Sequence, residues 1–327
     1  MINAAVIGVG LMGRNHARVI HSLKDVNLVA VSDIDKNVAE AVASEFSCKF
    51  YFDYKEMLEK EKIDIISIVV PTKMHKEVAI AAIKKNIHVL LEKPIALSET
   101  EAGDIITAAK RSNIKLMIGH IERFNPAIIE LKKRLENDEL GDIYKIDVQR
   151  IGPFPSRIDD VGVIIDLAVH DVDIISHLID SKPISVHAET QQKLHPKCED
   201  SLTTLLRYEN GILAILNINY LSPKKIREIS IFGKKGMFKV NYLDQDLRFY
   251  ENRSYNKNKH FTESFESVSE GKEYIIQISK KEPLLSEIEA FIDCVKNDKP
   301  SPVDGVTGLK ALQIVHMIEK SSKGITN

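Results

Sequence analysis

The sequence predicts an α/β protein in which a doubly wound parallel sheet is followed by a second α/β domain with an open, mainly antiparallel sheet. From residue 1 to about 120, apolar strand patterns alternate with helical patterns, which is typical of βαβ units. After about residue 125, strand patterns follow one another without helices between them, which favours antiparallel pairing. The 327 residues suffice for about two domains. We place the domains at 1–122 and 123–327, with the last helix able to pack back on the first domain.

Short apolar strands and amphipathic helices account for the first domain. The run 63–70 is continuously apolar, as expected for a strand covered on both faces of a parallel sheet. Ser98, with Glu101 three residues later, forms a capping-box pattern that predicts a helix start. The predicted strands are 4–8, 28–31, 50–52, 63–70, 88–91 and 116–119, and the predicted helices are 14–23, 38–46, 54–61, 75–86 and 98–112.

The second domain begins with a helix over 127–136, a strand over 142–150 and a helix over 166–179. Strands are then predicted over 184–191, 202–208, 211–221, 228–232, 237–240 and 247–250, a polar loop over 252–260, and closing helices over 285–296 and 308–321.

Charge and composition exclude several classes of protein. With 45 Lys and Arg against 47 Asp and Glu, the formal net charge is -2, which argues against a nucleic-acid-binding domain. No apolar run approaches the ~20 residues of a membrane span, and the first residues lack the basic region of a secretory signal. Three scattered cysteines indicate neither a disulfide framework nor a zinc site. We therefore expect a cytoplasmic protein without membrane or nucleic-acid partners.

A Gly-x-Gly-x-x-Gly motif, formed by Gly8, Gly10 and Gly13, follows the first strand and opens a helix. In a βαβ unit this context indicates a dinucleotide site, with Leu11 and Met12 also at the cofactor. The first glycine allows the tight turn, the second lets the pyrophosphate approach, and the third lets the helix pack closely. The alternative is a glycine-rich turn without a ligand.

Asp33 lies 20 residues after the motif, at the end of the second strand. An acidic side chain there accepts hydrogen bonds from the ribose hydroxyls and repels a 2′-phosphate, which favours NAD over NADP. Arg14 could instead reach such a phosphate or be a solvated helix residue. Pro71, Thr72 and His75 follow the fourth strand, so they either border the cofactor or form a helix-entry turn.

Two groups of residues are candidates for catalysis. Glu92 and Lys93 end the fifth strand, where ligands collect, and a lysine there can stabilise a developing alkoxide. The alternative is a surface lysine before a proline turn. Asp166 and His170 share one helix face by their i, i+4 spacing, so the carboxylate can orient the imidazole as a general base. Asp173 and His177 continue this stripe, which leaves a metal site or a satisfied polar helix face as alternatives.

The glycine motif, Glu92-Lys93-Pro94 and the Asp166/His170 pair, in this order, resemble the Gfo/Idh/MocA oxidoreductases. The resemblance covers essentially the whole chain and implies a Rossmann domain and a C-terminal domain with an open sheet. Members oxidise or reduce sugar and cyclitol hydroxyls with NAD(P), often as homodimers or homotetramers that pair these sheets. The resemblance implies catalytic roles for Lys93, Asp166 and His170.

A narrower likeness lies in GHIERFNP (119–126), GPFPSRI (152–158) and the stretch from Asp160 to Asp173. It resembles the family members that oxidise UDP-N-acetylglucosamine to a 3-keto nucleotide sugar, and Ala168 agrees with that group where many members have glycine. It implies that Arg123 and Asn125 contact the cofactor or the sugar, and we assign Arg123 to the cofactor and Asn125 to the substrate. Arg123 could equally form a salt bridge between the domains. Arg157 suits a diphosphate, because its guanidinium binds phosphate in bidentate fashion.

Three other functions remain open at this point. One is a dehydrogenase of a free sugar or cyclitol, against which the GPFPSR loop and Ala168 argue. Another is a non-catalytic NAD sensor, which would not need Lys93, Asp166 and His170. The last is a metal-assisted lyase or hydrolase that uses the stripe on the catalytic helix.

Overall fold

The computed structural model describes residues 1–155, 161–252 and 270–324. The chain forms two compact units, the first from Met1–Phe124 and Glu282–Gln313, and the second from Asn125–Lys281 and Ile314–Asn327. Where the sequence predicts a single boundary after residue 122, the structure also assigns 282–313 to the first unit.

The first unit contains a six-stranded parallel sheet, as predicted. Its strand order is β3-β2-β1-β4-β5-β6, the order expected for a doubly wound dinucleotide-binding fold. All four residues of the central strand β4 are buried, which is the consequence of helices on both faces. The strands are β1 (Ile2–Ile7), β2 (Val26–Ser32), β3 (Lys49–Tyr51), β4 (Ile65–Ile68), β5 (His88–Glu92) and β6 (Leu116–Gly119).

The helices between these strands end and begin close to the predicted residues. Ser98 caps the fifth helix through its hydroxyl, which accepts the N–H of Glu101 at 3.2 Å, while the Glu101 carboxylate accepts the N–H of Leu97. The helices are α1 (Leu11–Ser22), α2 (Lys36–Phe46), α3 (Tyr54–Lys60), α4 (His75–Lys84) and α5 (Glu99–Arg111).

The second unit contains an eight-stranded sheet and two helices, α6 (Pro126–Glu136) and α7 (Val169–Ile179). The order is β14-β13-β12-β11-β7-β10-β9-β8, and every pair is antiparallel except β7 with β10, which confirms a mainly antiparallel sheet. The strands are β7 (Ile143–Pro153), β8 (Pro183–Gln191), β9 (Ser201–Tyr208), β10 (Leu213–Asn219), β11 (Leu221–Gly233), β12 (Gly236–Asn241), β13 (Asp246–Glu251) and β14 (Glu273–Ile276).

Three local predictions in this unit are wrong. The predicted strands 211–221 and 228–232 are instead β10 and one long β11, which carries an irregularity between Leu221 and Ile226. The edge strand β14 was not predicted. The predicted helix 166–179 begins as a π-helical turn over Ile164–Ala168, so Asp166 precedes the α-helix proper. The predicted loop 252–260 lies almost entirely outside the described residues.

Two helices close the chain, α8 (Pro283–Lys296) and α9 (Gly305–Ser322). α8 belongs to the first unit, as do the residues of α9 as far as Gln313. Gly308 lets α9 approach β6 closely, because a Cβ there would lie 2.8 Å from Cγ1 of Ile118. No helix in the described part of the chain is long and apolar enough to cross a membrane.

Candidate active site

The glycine motif forms the turn between β1 and α1. Gly8 has φ of +81°, and a Cβ on it would lie 2.4 Å from the carbonyl oxygen of Val69. A Cβ on Gly13 would lie 1.8 Å from the Gly8 oxygen, so only glycine allows α1 to pack here. Gly10 differs, because a Cβ on it would meet no atom within 4 Å. The packing thus requires the outer two glycines, whereas the middle one borders open space.

No N-cap side chain accepts a hydrogen bond from the backbone N–H groups at the start of α1. Gly10 is the N-cap and makes no side-chain hydrogen bond, and the first turn contains no acidic residue. Leu11 is 67% exposed and Met12 is half-buried. A helix start of this kind offers backbone N–H groups and a partial positive charge to an anion such as a diphosphate.

Asp33 is fixed beside this turn at the end of β2. Its Oδ2 accepts the N–H of Val9 at 2.8 Å, and its Oδ1 accepts the N–H of Asp35 at 3.0 Å. Each carboxylate oxygen keeps further acceptor capacity, which suits ribose hydroxyls. The open space at Gly10, the helix N-terminus and the oriented Asp33 together fit a dinucleotide without a 2′-phosphate.

The turn after β4 is connected to the turn that carries Lys93. Pro71 is exposed, Thr72 is half-buried, and His75 is 1% exposed at the start of α4. The His75 Nδ1 lies 2.8 Å from the carbonyl oxygen of Pro94, and its Nε2 lies 2.9 Å from that of Val70. Burial lowers the pKa of His75 although both carbonyls favour its protonation. With both ring nitrogens occupied, His75 positions these two turns.

Glu92 is the last residue of β5 and Lys93 follows it directly, at the strand end where the sequence predicts them. The Glu92 carboxylate accepts the Lys93 N–H at 3.1 Å and lies 3.1 Å from Nε2 of His16 on α1. Burial raises the pKa of Glu92, but the hydrogen bond and charge of His16 and the charge of Lys93 outweigh it, so the pKa lies below 4.5. The sequence analysis missed His16, which lies 76 residues from Glu92 and carries no local signal.

Arg123 and Asn125 flank the turn after β6. Arg123 is half-buried in a 3₁₀ turn of the first unit. Asn125, in the second unit, is buried, caps α6 by accepting the N–H of Ala127 at 3.1 Å, and donates to the Tyr242 carbonyl oxygen at 3.1 Å. Arg157 lies outside the described residues.

In the second unit, Asp166 lies in the π-helical turn and His170 in the first turn of α7; both are half-buried. The Tyr220 hydroxyl donates to Oδ2 of Asp166 at 2.5 Å. The ring of Phe154 packs edge-on against Tyr220, with centroids 5.9 Å apart. Tyr220 is a residue that the sequence analysis missed, since it lies 54 positions from Asp166. π-helical turns inside helices are frequent at functional sites.

A buried ion pair holds the helix that carries His170. Arg150 on β7 donates from Nε to Oδ2 of Asp171 at 2.7 Å and from Nη2 to Oδ1 at 3.0 Å. The two residues are 2% and 1% exposed. The Arg150 guanidinium also lies 5.4 Å from the ring centroid of Tyr242. Because Asp171 directly follows His170, this bidentate pair restricts the rotation of α7 about its axis.

The stripe of acids and histidines on α7 does not converge as a metal site would. Among the described residues, Asp166, His170, Asp173 and His177 do not bring three ligand atoms within 4.8 Å of one another. Asp173 is buried and His177 half-buried.

Comparison with known proteins covers nearly the whole chain. Residues 2–120 match a family model described as "Oxidoreductase family, NAD-binding Rossmann fold", and residues 132–326 match its C-terminal alpha/beta domain. A UDP-N-acetylglucosamine 3-dehydrogenase of Acidithiobacillus ferrooxidans is 29% identical over 95% of this chain and 94% of its own length. Its solved structure matches with a TM-score of 0.86, covering 99% of this chain and 98% of that one. A myo-inositol 2-dehydrogenase of Thermotoga maritima is 24% identical over 97% of this chain and 95% of its own length.

Proposed function

The chain belongs to the Gfo/Idh/MocA family of NAD-dependent oxidoreductases, and we propose that it oxidises the 3-hydroxyl of UDP-N-acetylglucosamine to the 3-keto nucleotide sugar. The observation that carries this proposal is the likeness, over 94% or more of both chains, to an enzyme of that name. Ala168 and the GPFPSR loop support the same substrate class. The product is a precursor suited to an aminotransferase that makes a 3-amino sugar.

The first unit binds NAD, which when bound accepts a hydride from the carbon that bears the reacting hydroxyl. The N–H groups at the start of α1 would hold the diphosphate beside Gly10, and Asp33 would accept the ribose hydroxyls. The carboxylate of Asp33 also disfavours a 2′-phosphate. Gly8, Gly13, Leu11 and Met12 would shape this cradle, with Pro71, Thr72, Glu92, Lys93 and Arg123 along the remainder of the cofactor.

His170 is the general base in the proposed reaction and takes the proton of the sugar hydroxyl as the hydride leaves the same carbon. Asp166 orients the catalytic pair, and its own position is fixed by the Tyr220 hydroxyl at 2.5 Å. The Lys93 ammonium stabilises the developing oxyanion, and Glu92 fixes the Lys93 backbone. Arg157 and Asn125 are assigned to the nucleotide sugar.

Replacement of His170 tests the mechanism. We expect His170→Ala to lose about 10²–10⁴-fold in turnover, the usual contribution of a general base, with NAD affinity unchanged. His177→Ala is the matched control, because this histidine is also half-buried on α7, and it should keep wild-type turnover. Near-wild-type turnover by His170→Ala would contradict the role of His170 as the general base.

A second candidate is the oxidation of a cyclitol. It is favoured by the myo-inositol 2-dehydrogenase of Thermotoga maritima and by an NAD-dependent scyllo-inositol 2-dehydrogenase of Bacillus subtilis, which is 26% identical over 96% of this chain. Parallel assays with myo-inositol and UDP-N-acetylglucosamine separate the two candidates.

The family resemblance also supports a homodimer or homotetramer that pairs the sheets of the second unit. Light scattering of the purified protein should give a mass of two or four times 36.8 kDa, and a monomer would contradict this assembly.

A further inference from the structure

Three ionisable side chains of the first unit form a buried cluster, and one of them belongs to Glu92, the residue that precedes Lys93. His16 comes from α1, Glu92 from the end of β5, and Glu287 from α8. The potential ligand atoms of these three groups all lie within 4.8 Å of one another. No local sequence signal brings them together, because the fold supplies them from three separate elements.

Two members of this cluster have hydrogen-bond partners. The hydroxyl of Ser67 lies 2.7 Å from Nδ1 of His16, and Nε2 of His16 lies 3.1 Å from Oε1 of Glu92. The second oxygen of Glu92 accepts the Lys93 N–H. Since an ionised carboxylate only accepts, Nε2 of His16 carries the proton of the contact with Glu92, and the Ser67 hydroxyl, which can donate or accept, pairs with the other ring nitrogen. Both oxygens of Glu92 therefore accept a hydrogen bond, which stabilises the ionised carboxylate.

The carboxyl group of Glu287, by contrast, is not stabilised by hydrogen bonds in the described part of the chain. It is completely buried, and within the described part of the chain neither of its carboxyl oxygens has a hydrogen-bond partner. Burial, and secondarily the charge of Glu92, raise the pKa of Glu287 well above 4.5, whereas the pKa of Glu92 is lowered. Two neighbouring carboxyl groups whose environments push their pKa values apart carry one proton between them. Here the proton resides on Glu287.

We propose that Glu287 is a positioning residue for Lys93, acting through Glu92: it supports turnover as the neutral acid and suppresses turnover when it ionises. An ionised Glu287 would place a second buried negative charge within 4.8 Å of Glu92. That charge would compete for the proton of His16 and for the ammonium of Lys93, and so disturb the turn that Glu92 holds. This inference rests on the catalytic role proposed above for Lys93.

A divalent cation is the other way to neutralise two carboxylates, but the hydrogen bonds favour a proton. Both nitrogens of His16 already have partners, and so do both oxygens of Glu92. The elements around Glu287 carry further charged or titratable residues: Arg14, His16, Arg18 and His21 on α1, His88 and Glu92 on β5 with Lys93 directly after it, and Glu122 and Arg123 in the turn after β6.

The first test follows thermal stability against pH in Glu287→Gln and wild type, with Glu289→Gln on the same helix as the matched control. The pKa of Glu287 is higher in the folded state, so its contribution to stability is present at low pH and is lost as pH rises through that value. Glutamine does not ionise. The difference in Tm between Glu287→Gln and wild type should therefore change in favour of the variant by at least about 2 °C as the pH rises from about 5 to about 9. Glu289→Gln should follow wild type.

The second test follows turnover against pH with whichever alcohol substrate yields NADH. Glu287→Gln should keep wild-type turnover near pH 7, and its alkaline fall should move upward by about one pH unit or more. Superimposed wild-type and Glu287→Gln profiles in Tm and turnover would overturn the proposal. A folded Glu287→Gln protein that loses more than about tenfold near pH 7 would also overturn it, as would a stoichiometric metal that this variant loses.

The two tests separate this inference from the proposed function. The thermal series needs no substrate, so it decides the protonation of Glu287 even if UDP-N-acetylglucosamine is not oxidised. A pH-independent difference in Tm would contradict the inference while leaving the dehydrogenase activity untouched.

Discussion

Removal of one partner of the Arg150–Asp171 pair should destabilise the second unit strongly. At 2.7 Å and an effective dielectric constant of about 20, the Coulomb attraction is about 6 kcal/mol, set against a desolvation cost of several kcal/mol for each ion. Asp171→Asn removes this attraction and takes the Asp171 carboxylate away from the buried guanidinium of Arg150. The expected loss in unfolding free energy is about 3–5 kcal/mol. At about 2–4 °C per kcal/mol for a unit of this size, the Tm should fall by about 6–20 °C.

Calorimetry with two further variants makes this prediction specific. The double variant Arg150→Met with Asp171→Leu removes both charges and should recover most of the lost stability, because a well-packed apolar pair often replaces a buried ion pair without loss. Lys145→Met is the matched control, since it breaks an exposed Lys145–Asp147 pair on the same strand and should cost less than about 1 kcal/mol. Equal effects of Asp171→Asn and Lys145→Met would refute the reasoning.

Two other predictions concern the cofactor turn and the catalytic helix. Gly10→Ala should fold but bind NAD more weakly in calorimetric titration, because its Cβ enters the open space beside the turn. Gly13→Ala should instead reduce the yield of soluble protein, because its Cβ would lie 1.8 Å from a carbonyl oxygen. A Gly10→Ala protein that fails to fold, together with a Gly13→Ala protein that folds and only binds NAD weakly, would contradict the proposed cofactor site. Tyr220→Phe removes the hydrogen bond to Asp166 and should lower turnover about 2–10-fold, the equivalent of one hydrogen bond, with NAD affinity unchanged.

The strands and helices of the first unit could be predicted closely from the sequence, because the patterns that indicate them are local. Each parallel strand is a short apolar run between helices, and the glycine turn and Asp33 lie within one βαβ unit. The second unit contains strands without such patterns. The beginning of β11 carries three consecutive exposed residues, Pro223, Lys224 and Lys225, and β14 is an edge strand whose Tyr274 and Ile275 are both exposed. Neither segment therefore shows the alternation of a half-buried strand.

The candidate site divides in the same way. Lys93 and His170 could be proposed from the sequence because each lies in a short motif with its neighbours. The partners that position them come from distant elements, as with Tyr220 for Asp166 and His16 for Glu92, and only the strand order brings them together. The π-helical turn at Asp166 also had no recognisable sequence signal, because helical periodicity continues through it.

The most direct test of the proposed function is the formation of NADH by the purified protein with NAD and UDP-N-acetylglucosamine. UDP-glucose, free N-acetylglucosamine and myo-inositol serve as parallel substrates, and a carbonyl trap removes the ketone because its formation is unfavourable. The proposed function predicts a rise in near-ultraviolet absorbance with UDP-N-acetylglucosamine and none with the other three. NADH formed only with the free sugar or with myo-inositol would contradict a nucleotide-sugar dehydrogenase.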